Sequence, residues 1–372
     1  KSQLGENYGS FEIIQASYNG GFGVGSNTSA KAGKGEIVFF YNVDTAIDPD
    51  SFSILSQEVE NSPESTGAFE MRQMPYEHPK YYNPLTLETS WATGAALALK
   101  REVFEKTGGF DETIFMYCED VDLSWRIRLA GYTIKYLPYA ITQHFIPDAN
   151  KMKPTQIAGQ LAGELILRLK FADAEELARW KELRRQWQPW LDGNEFAASL
   201  TEKLLADVEK NKTRYRQFYN KNVKNSGIDF CFERGYDFIR LGAECIVEKP
   251  EKIAPITVIV RTYNRPLLLK QTLQSLCNQT IKDFKVIVVE DGATPVSEDT
   301  VKSFADRLAI EYIAMNSASG RCVAGNKALD CVKTDYAVFL DDDDHFFADY
   351  IEAISCLIEQ NPECKMFCSS SA

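Results

Sequence analysis

Val338–Phe346 reads V-F-L-D-D-D-D-H-F, an apolar run that ends in four adjacent carboxylates. Like charges crowded at one spot repel, so a chain that gathers them at the end of a buried element is set up to hold something positive. Carboxylate oxygens are hard ligands suited to Mg2+ or Mn2+, ions that keep several waters and bridge to phosphate oxygens. A solvated acidic turn capping the next helix accounts for one or two aspartates, but not for four beside His345. A weaker version stands upstream in Ile37–Asp50, I-V-F-F-Y-N-V-D-T-A-I-D-P-D.

The two stretches superpose without gaps. Asp343 and Asp44 stand 299 positions apart, as do Asn326 and Asn27; at that offset Gly320 falls on Gly21, Phe339 on Phe40 and Asp349 on Asp50. Both copies read as a Gly-containing turn, a helix, a strand and then acid. A repeat of this length is too long for a solenoid and points to two homologous domains. In the second copy, Thr257–Val260 is a β-branched strand followed by the turn R-T-Y-N-R-P. Leu267–Cys277 has helical apolar spacing, and Phe284–Val289 is a strand ending in E-D-G. Strands and helices alternating through short turns predict a Rossmann-like α/β fold with a mainly parallel sheet. The expected organisation is a first domain over residues 1–150, a helical linker over 151–250 and a second domain over 251–372. By the offset, the first copy lacks its opening β-α-β unit and the second stops soon after its acidic turn. The chain therefore reads as a piece of a longer protein, inactive by itself while its parent is active.

Composition limits the partners. A net charge of -12 argues against nucleic acid, whose phosphates call for a basic field. No apolar run approaches the roughly 18 residues of a membrane span. Nine cysteines, odd in number and without a C-x-x-C pair, read as reduced thiols in a cytoplasmic protein. Within the linker, one helix is expected to end near Trp187, ahead of Gln188-Pro189. Arg179, Trp180, Arg184, Arg185, Trp187 and Trp190 form a basic-aromatic cluster there: a solvated helix whose tryptophans pack inward, or alternatively a peripheral contact with a membrane surface.

Ligands of an open parallel sheet bind beyond the carboxyl ends of its strands, where R-T-Y-N-R, E-D-G and D-D-D-D all fall. The first copy adds other chemistry. Glu88–Lys100, E-T-S-W-A-T-G-A-A-L-A-L-K, leads into a small apolar strand, and Y-C-E-D-V-D-L-S-W-R follows at Tyr117–Arg126. Glu119, Asp120 and Asp122 open a helix, where negative charge is favoured. Asp122 has a bland account as the partner of Arg126 one turn on. Asp120, beside Glu119 and without a partner in sequence, is placed to take a proton from an acceptor hydroxyl. His144 ends a further strand in Y-L-P-Y-A-I-T-Q-H-F.

Taken in order, these motifs resemble the family-two inverting glycosyltransferases of the GT-A fold. T-V-I-V-R-T-Y-N-R…V-V-E-D-G…F-L-D-D-D-D is similar to that family's donor half. G-A-A-L-A-L-K-R…G-G-F-D-E…E-D-V-D-L-S-W-R…H is similar to its acceptor half, in the manner of rhamnosyltransferase-like members. The resemblance covers about residues 11–145 and 256–372. It implies that Thr262, Tyr263, Asn264 and Arg265 line a nucleotide pocket, that Asp291 bonds the base, and that Asp341 lies near the ribose and phosphates with Asp343 on the metal. In the first copy it implies Asp44 and His144 as metal ligands and Asp120, with Glu119, as the catalytic pair. The implied donor is a UDP- or dTDP-linked sugar, the acceptor a glycan or lipid-linked saccharide, and the cofactor Mn2+ or Mg2+. Asn42 departs from the pattern, standing where the second copy has Asp341. It also removes the nucleophile that a D-x-D-x-T phosphatase would require. A nucleotidyltransferase and a catalytically lapsed sugar-nucleotide-binding module are the alternatives.

Overall fold

The computed structural model describes residues 12–145, 152–232, 236–240, 249–292 and 295–369. The ends of the two expected domains, before residue 12 and after 369, and the linker stretch 241–248 lie outside the described residues.

The first unit runs α1 (Gly21–Ala32), β1 (Ile37–Tyr41), β2 (Thr45–Ile47), α2 (Ser51–Asn61), β3 (Thr66–Met74), β4 (Glu88–Thr89), β5 (Ala96–Lys100), α3 (Arg101–Thr107), α4 (Glu119–Leu129) and β6 (Thr133–His144). Its strands lie in the order β1-β5-β3-β6-β2, with β4 on β6. Side chains alternate across a strand, so β5 serves two layers. Leu97 and Leu99 pack with Val103, Phe104, Leu123 and Ile127 of α3 and α4. Ala96 and Ala98 pack on the opposite face with Leu55 of α2. At the centre, β3 is buried at all nine positions, although it carries Glu70, Arg72 and Gln73. Each of these three needs a partner, and those partners build the site. Only β3 and β6 pair in parallel here; β1, β2 and β4 make antiparallel contacts. The parallel character expected of the fold is thus confined to one pair in this unit.

Next come α5 (Pro154–Phe171), α6 (Ala174–Asp192) and α7 (Glu195–Phe218), the last running into a π-turn at Tyr219–Val223. The side chains of Asp173 and Asn194 accept N–H bonds that start α6 and α7. The expected break near Trp187 does not occur: α6 continues through Pro189 to Asp192. Trp187 and Leu191 pack with Ile157, Leu161 and Ala197, and this burial outweighs the helix bond that proline removes. Trp180 packs there as well, while Arg179, Arg184 and Arg185 all pair with glutamates. Among the described residues no helix is long and apolar enough to cross a membrane.

The second unit runs β7 (Ile256–Thr262), α8 (Pro266–Cys277), β8 (Lys285–Glu290), α9 (Glu298–Lys302), β9 (Ala309–Ala314), α10 (Arg321–Leu329), β10 (Tyr336–Asp341) and α11 (Tyr350–Gln360). Its sheet, in the order β10-β7-β8-β9, is parallel throughout. The run of β-branched residues in β7 and β8 is that of strands covered on both faces. Val258, Val260, Val286 and Val288 meet Leu269, Leu273 and Leu276 of α8, while Ile259, Ile287 and Val289 meet Ala324 and Ala328 of α10. Counting back 299 residues from α10, β10 and α11 gives 22–30, 37–42 and 51–61, which are the places of α1, β1 and α2.

The two units meet along α11 and the end of α8. Asn278 Nδ2 donates to the carbonyls of Pro84 and Leu85 at 2.8 and 3.0 Å. Ala348 N donates to Tyr82 Oη at 2.9 Å, and Arg240 pairs with Asp349 at 2.8 Å.

Candidate active site

Strand pairing creates the first arm of the site. β2 and β6 run antiparallel with Thr45 opposite His144, and Phe145 N donates to Asp44 O at 2.8 Å. This register puts His144 Nε2 3.6 Å from Asp44 Oδ1. The other ring nitrogen, Nδ1, lies 2.7 Å from Gln73 Oε1 of β3. An amide oxygen only accepts, so the contact places the proton on Nδ1 and leaves the Nε2 lone pair facing Asp44. Burial lowers the His144 pKa and Asp44 partly offsets this, keeping the ring neutral in the form that ligates metals.

The Y-C-E-D turn makes the second arm. Tyr117 and Cys118 adopt φ of 71° and 69°, two successive side chains in the left-handed region that mostly glycine visits. Helix α5 holds the turn in place. A Cβ on Gly159 would lie 2.5 Å from Met116 O, and one on Gly163 would lie 2.6 Å from Cys118 Cβ. Only glycine permits that approach. The turn delivers Glu119 and Asp120 to the start of α4. Asp120 Oδ2 accepts from Gly94 N at 3.0 Å and Oδ1 from Val121 N at 2.9 Å. Burial raises the Asp120 pKa, against the pull of these two N–H groups and of Lys80. Glu119, 6% exposed and with Oε2 unbonded, is pushed up to about 8 by burial and by the charge of Asp120. Burial raises the pKa of both carboxyls; the charge of Asp120 adds to the rise at Glu119, which keeps its proton at neutral pH, while the two N–H groups and Lys80 oppose the rise at Asp120. Tyr117 lies within electrostatic reach of both Glu119 and Asp44, which raise its pKa together with burial. Asp122 lies inside, paired with Arg126 at 2.7 Å and with Lys170, as its spacing suggested.

Behind the cleft, Lys80 Nζ straddles the Glu70 carboxylate at 2.8 and 2.7 Å and sits 4.0 Å over the Trp91 ring. Glu70 Oε1 also accepts from Thr93 N at 3.0 Å. Sequence reasoning missed Gln73, Glu70, Lys80 and Tyr117. The signal was present in F-E-M-R-Q-M (Phe69–Met74), where charged and amide residues interrupt an otherwise apolar central strand.

In the second unit, the residues named from sequence gather at the carboxyl ends of β7, β8 and β10. Asp342 is buried and accepts from Thr262 Oγ1 at 2.7 Å and from Arg265 at 3.2 Å. Asp343, 53% exposed, lies 3.4 Å from the same guanidinium, and Asp341 pairs with Arg261. Tyr263 is exposed. Asn264, at φ 55°, donates its N–H to Glu290 at 2.8 Å. Asp291 directs both oxygens to backbone, accepting from Ser319 N at 2.7 Å and Gly320 N at 2.8 Å at the entrance to α10. In this arrangement Arg261 and Arg265 supply the positive charge beside the acidic turn.

Among the described residues no three His, Cys, Asp or Glu side chains converge on one point as a metal cluster. Asp44 and His144 nonetheless fit a shared divalent ion, with one oxygen and one oriented nitrogen. Mg2+ and Mn2+ sites of this kind take the remaining positions from water and phosphate oxygens.

Comparison with known proteins adds several partial likenesses. The chain is 37% identical over 100 residues to "Glycosyltransferase GlyA" of Streptococcus pneumoniae, covering 27% of this chain and 14% of that protein. It is 43% identical over 61 residues to the "N-acetylglucosaminyl-diphospho-decaprenol L-rhamnosyltransferase" of Mycobacterium tuberculosis, covering 16% of this chain and 20% of that one. The chain thus spans a fifth or less of the length of these two relatives. A structure of S. aureus TarS 1-349 in complex with UDP-GlcNAc aligns at 25% identity over 29% of this chain and 32% of its own, with a TM-score of 0.28. The Pyrobaculum calidifontis mannosyltransferase PcManGT, in complex with GDP-Man and Mn2+, aligns at 27% identity over 29% and 34%, with the same TM-score. Residues 257–365, from β7 through the loop after α11, match the family model of Glycosyl transferase family 2.

Proposed function

We propose that the protein serves metal-dependent, inverting transfer of a sugar from a nucleotide-diphosphate sugar, UDP- or dTDP-linked, to a hydroxyl of a glycan or lipid-linked saccharide in surface polysaccharide synthesis. The observation that supports this reading is that Tyr117 lies within electrostatic reach of both Asp44, which is paired with His144, and Glu119, which stands beside Asp120. Asp44 and His144 would hold Mn2+ or Mg2+, and a bound ion supplies neutralisation of the negative charge that develops on the departing diphosphate. Gly94 N–H and Val121 N–H hold the Asp120 carboxylate as general base, which takes the acceptor proton as its oxygen attacks the anomeric carbon. Glu119, kept protonated, adds no second negative charge beside it. One in-line displacement inverts the anomeric centre. In the second unit, Thr262, Tyr263, Asn264, Arg265 and Asp341 surround the position of a nucleotide diphosphate, with Asp343 as the metal acid and Asp291 setting the loop ahead of α10.

The test is incubation of the full-length protein with a panel of nucleotide sugars, Mn2+ and oligosaccharide acceptors, with the product anomer read by NMR. Transfer with inversion that is lost in Asp120→Asn supports the proposal; retention of configuration, or full activity in that variant, defeats it. A second reading applies to residues 257–365 alone, a donor-binding module without transfer. It is favoured by Arg261 and Arg265, which already neutralise Asp341 and Asp343. Calorimetry showing donor binding at this unit, with turnover insensitive to Asp343→Asn, would select it.

A further inference from the structure

The cleft has a charged layer behind it that touches neither arm's reacting groups directly. Lys80 is 5% exposed and Glu70 3%, so both charges sit in a poorly solvated interior where an ion pair is costly unless its geometry is complete. Here it is nearly so. The ammonium spans both Glu70 oxygens, donates to Trp91 O and lies over the indole face. The Lys80 backbone is fastened too, because Arg240 Nε donates to Lys80 O at 3.1 Å and Arg240 N to Pro79 O at 2.9 Å.

The layer leads to the base through two successive peptide units. Thr93 N donates to Glu70 while the next N–H along the chain, that of Gly94, donates to Asp120. Two consecutive N–H groups thus link a carboxylate on the central strand to one on α4. Both carboxylates depend on where the Thr93–Gly94 backbone lies. No side chain other than lysine or arginine would hold Glu70 in this way and also place a fixed positive charge behind Asp120.

We propose that Lys80 is a positioning residue for the transfer reaction: by clamping Glu70 it fixes the backbone at Thr93 and Gly94, whose N–H holds the Asp120 carboxylate, and it places a fixed positive charge behind that carboxylate. The reaction is the one proposed above, and the assignment to transfer rests on that reading. Asp120 is in electrostatic reach of Glu119 and Cys118 from its own turn and of Lys80 from the loop after β3. Asp122 and Tyr117 are in electrostatic reach of Glu119. Lys80 is the one cation in that set, so its removal acts in a single direction.

The variants are Lys80→Met, which keeps the stem against Trp91, Lys80→Arg, which keeps the charge, and Lys80→Met/Glu70→Gln, which removes the buried carboxylate that the first variant strands. Two quantities are read: the pH dependence of kcat, and the titration of Asp120 by carbonyl-13C aspartate NMR, which needs no turnover. Losing an opposite charge nearby raises the carboxyl pKa, so the acid limb of the profile and the Asp120 titration should both move up by about one pH unit. At a pH below the limb, kcat should fall about tenfold and recover at higher pH, with donor KM unchanged and Lys80→Arg close to wild type. If the folded Lys80→Met variant keeps both the limb and the titration of wild type, or loses rate equally at every pH, Lys80 is not a positioning residue; the charge-neutral double variant should shift both by less than the single one. A wild type that transfers nothing while its Asp120 titration moves in the variants would remove the transferase reading and leave the Lys80–Asp120 coupling standing.

Discussion

Arg72 of β3 and Glu352 of α11 face each other through two N–H···O bonds of 3.0 Å each, 280 positions apart in the chain and both almost fully enclosed. Thr280 Oγ1 donates to the same carboxylate at 2.8 Å, and Arg72 Nε reaches Glu77 at 3.4 Å. A strand of the first unit is thereby tied to a helix of the second by a fully bonded charge pair. Removing one partner strands the other in a dry interior. Arg72→Ala should lower the unfolding free energy by about 3 kcal/mol, while Arg72→Met/Glu352→Met should recover most of the loss. Urea unfolding of the three chains checks both values, and equal losses in single and double variants would contradict the pairing.

Asp120→Asn keeps the shape of the side chain and removes its capacity to take a proton. Its kcat should fall by about 10²- to 10⁴-fold, while calorimetric donor affinity stays within about twofold. A parallel loss of binding would show that Asp120 acts on the donor and not on the acceptor.

Glu119 gives the protein a stability that depends on pH. Its pKa is raised from 4.5 to about 8 in the folded chain, so between those values the native state holds a proton that the unfolded state has released. Stability then falls as pH rises: the contribution is intact below pH 4.5 and is lost as pH climbs through about 8. Glu119→Gln should flatten this slope, a difference visible in urea midpoints collected from pH 5 to 9.

Gln73 touches the proposed ligand His144 and not the ion itself. Gln73→Leu leaves Nδ1 without its acceptor, and the ring loses both its orientation and its tautomer. Mn2+ affinity should drop about 10- to 100-fold, and Asp44→Asn should cost at least as much. Titration of the protein with Mn2+ followed by electron paramagnetic resonance measures both, and unchanged affinity in Gln73→Leu would detach His144 from the metal.

The parts of the fold that announce themselves in sequence are those governed by local pattern. T-V-I-V and F-K-V-I-V-V read as strands because their β-branched runs lie between turn residues, and the four aspartates mark a strand end by charge alone. The 299-residue offset read from the sequence is matched by α1, β1 and α2, which keep the spacing of α10, β10 and α11. What stayed hidden depends on contacts distant in sequence. Nothing near Lys80 shows that it meets Glu70 and stands behind Asp120, and nothing near Pro189 shows that Trp187 and Leu191 are packed firmly enough to carry α6 past it. The backbone bonds that Asp291 accepts from Ser319 and Gly320, ahead of α10, are likewise a pairing that only the tertiary fold brings about.

The seat that Gly159 and Gly163 provide for the Tyr117–Cys118 turn bears on how this protein can be taken apart. A domain graft that cuts just after His144 and discards α5 would remove the surface on which the left-handed turn rests, and would deliver a scaffold whose acid pair is free to swing away. The portable module therefore extends at least to Phe171, and the helix after the sheet has to travel with the cleft.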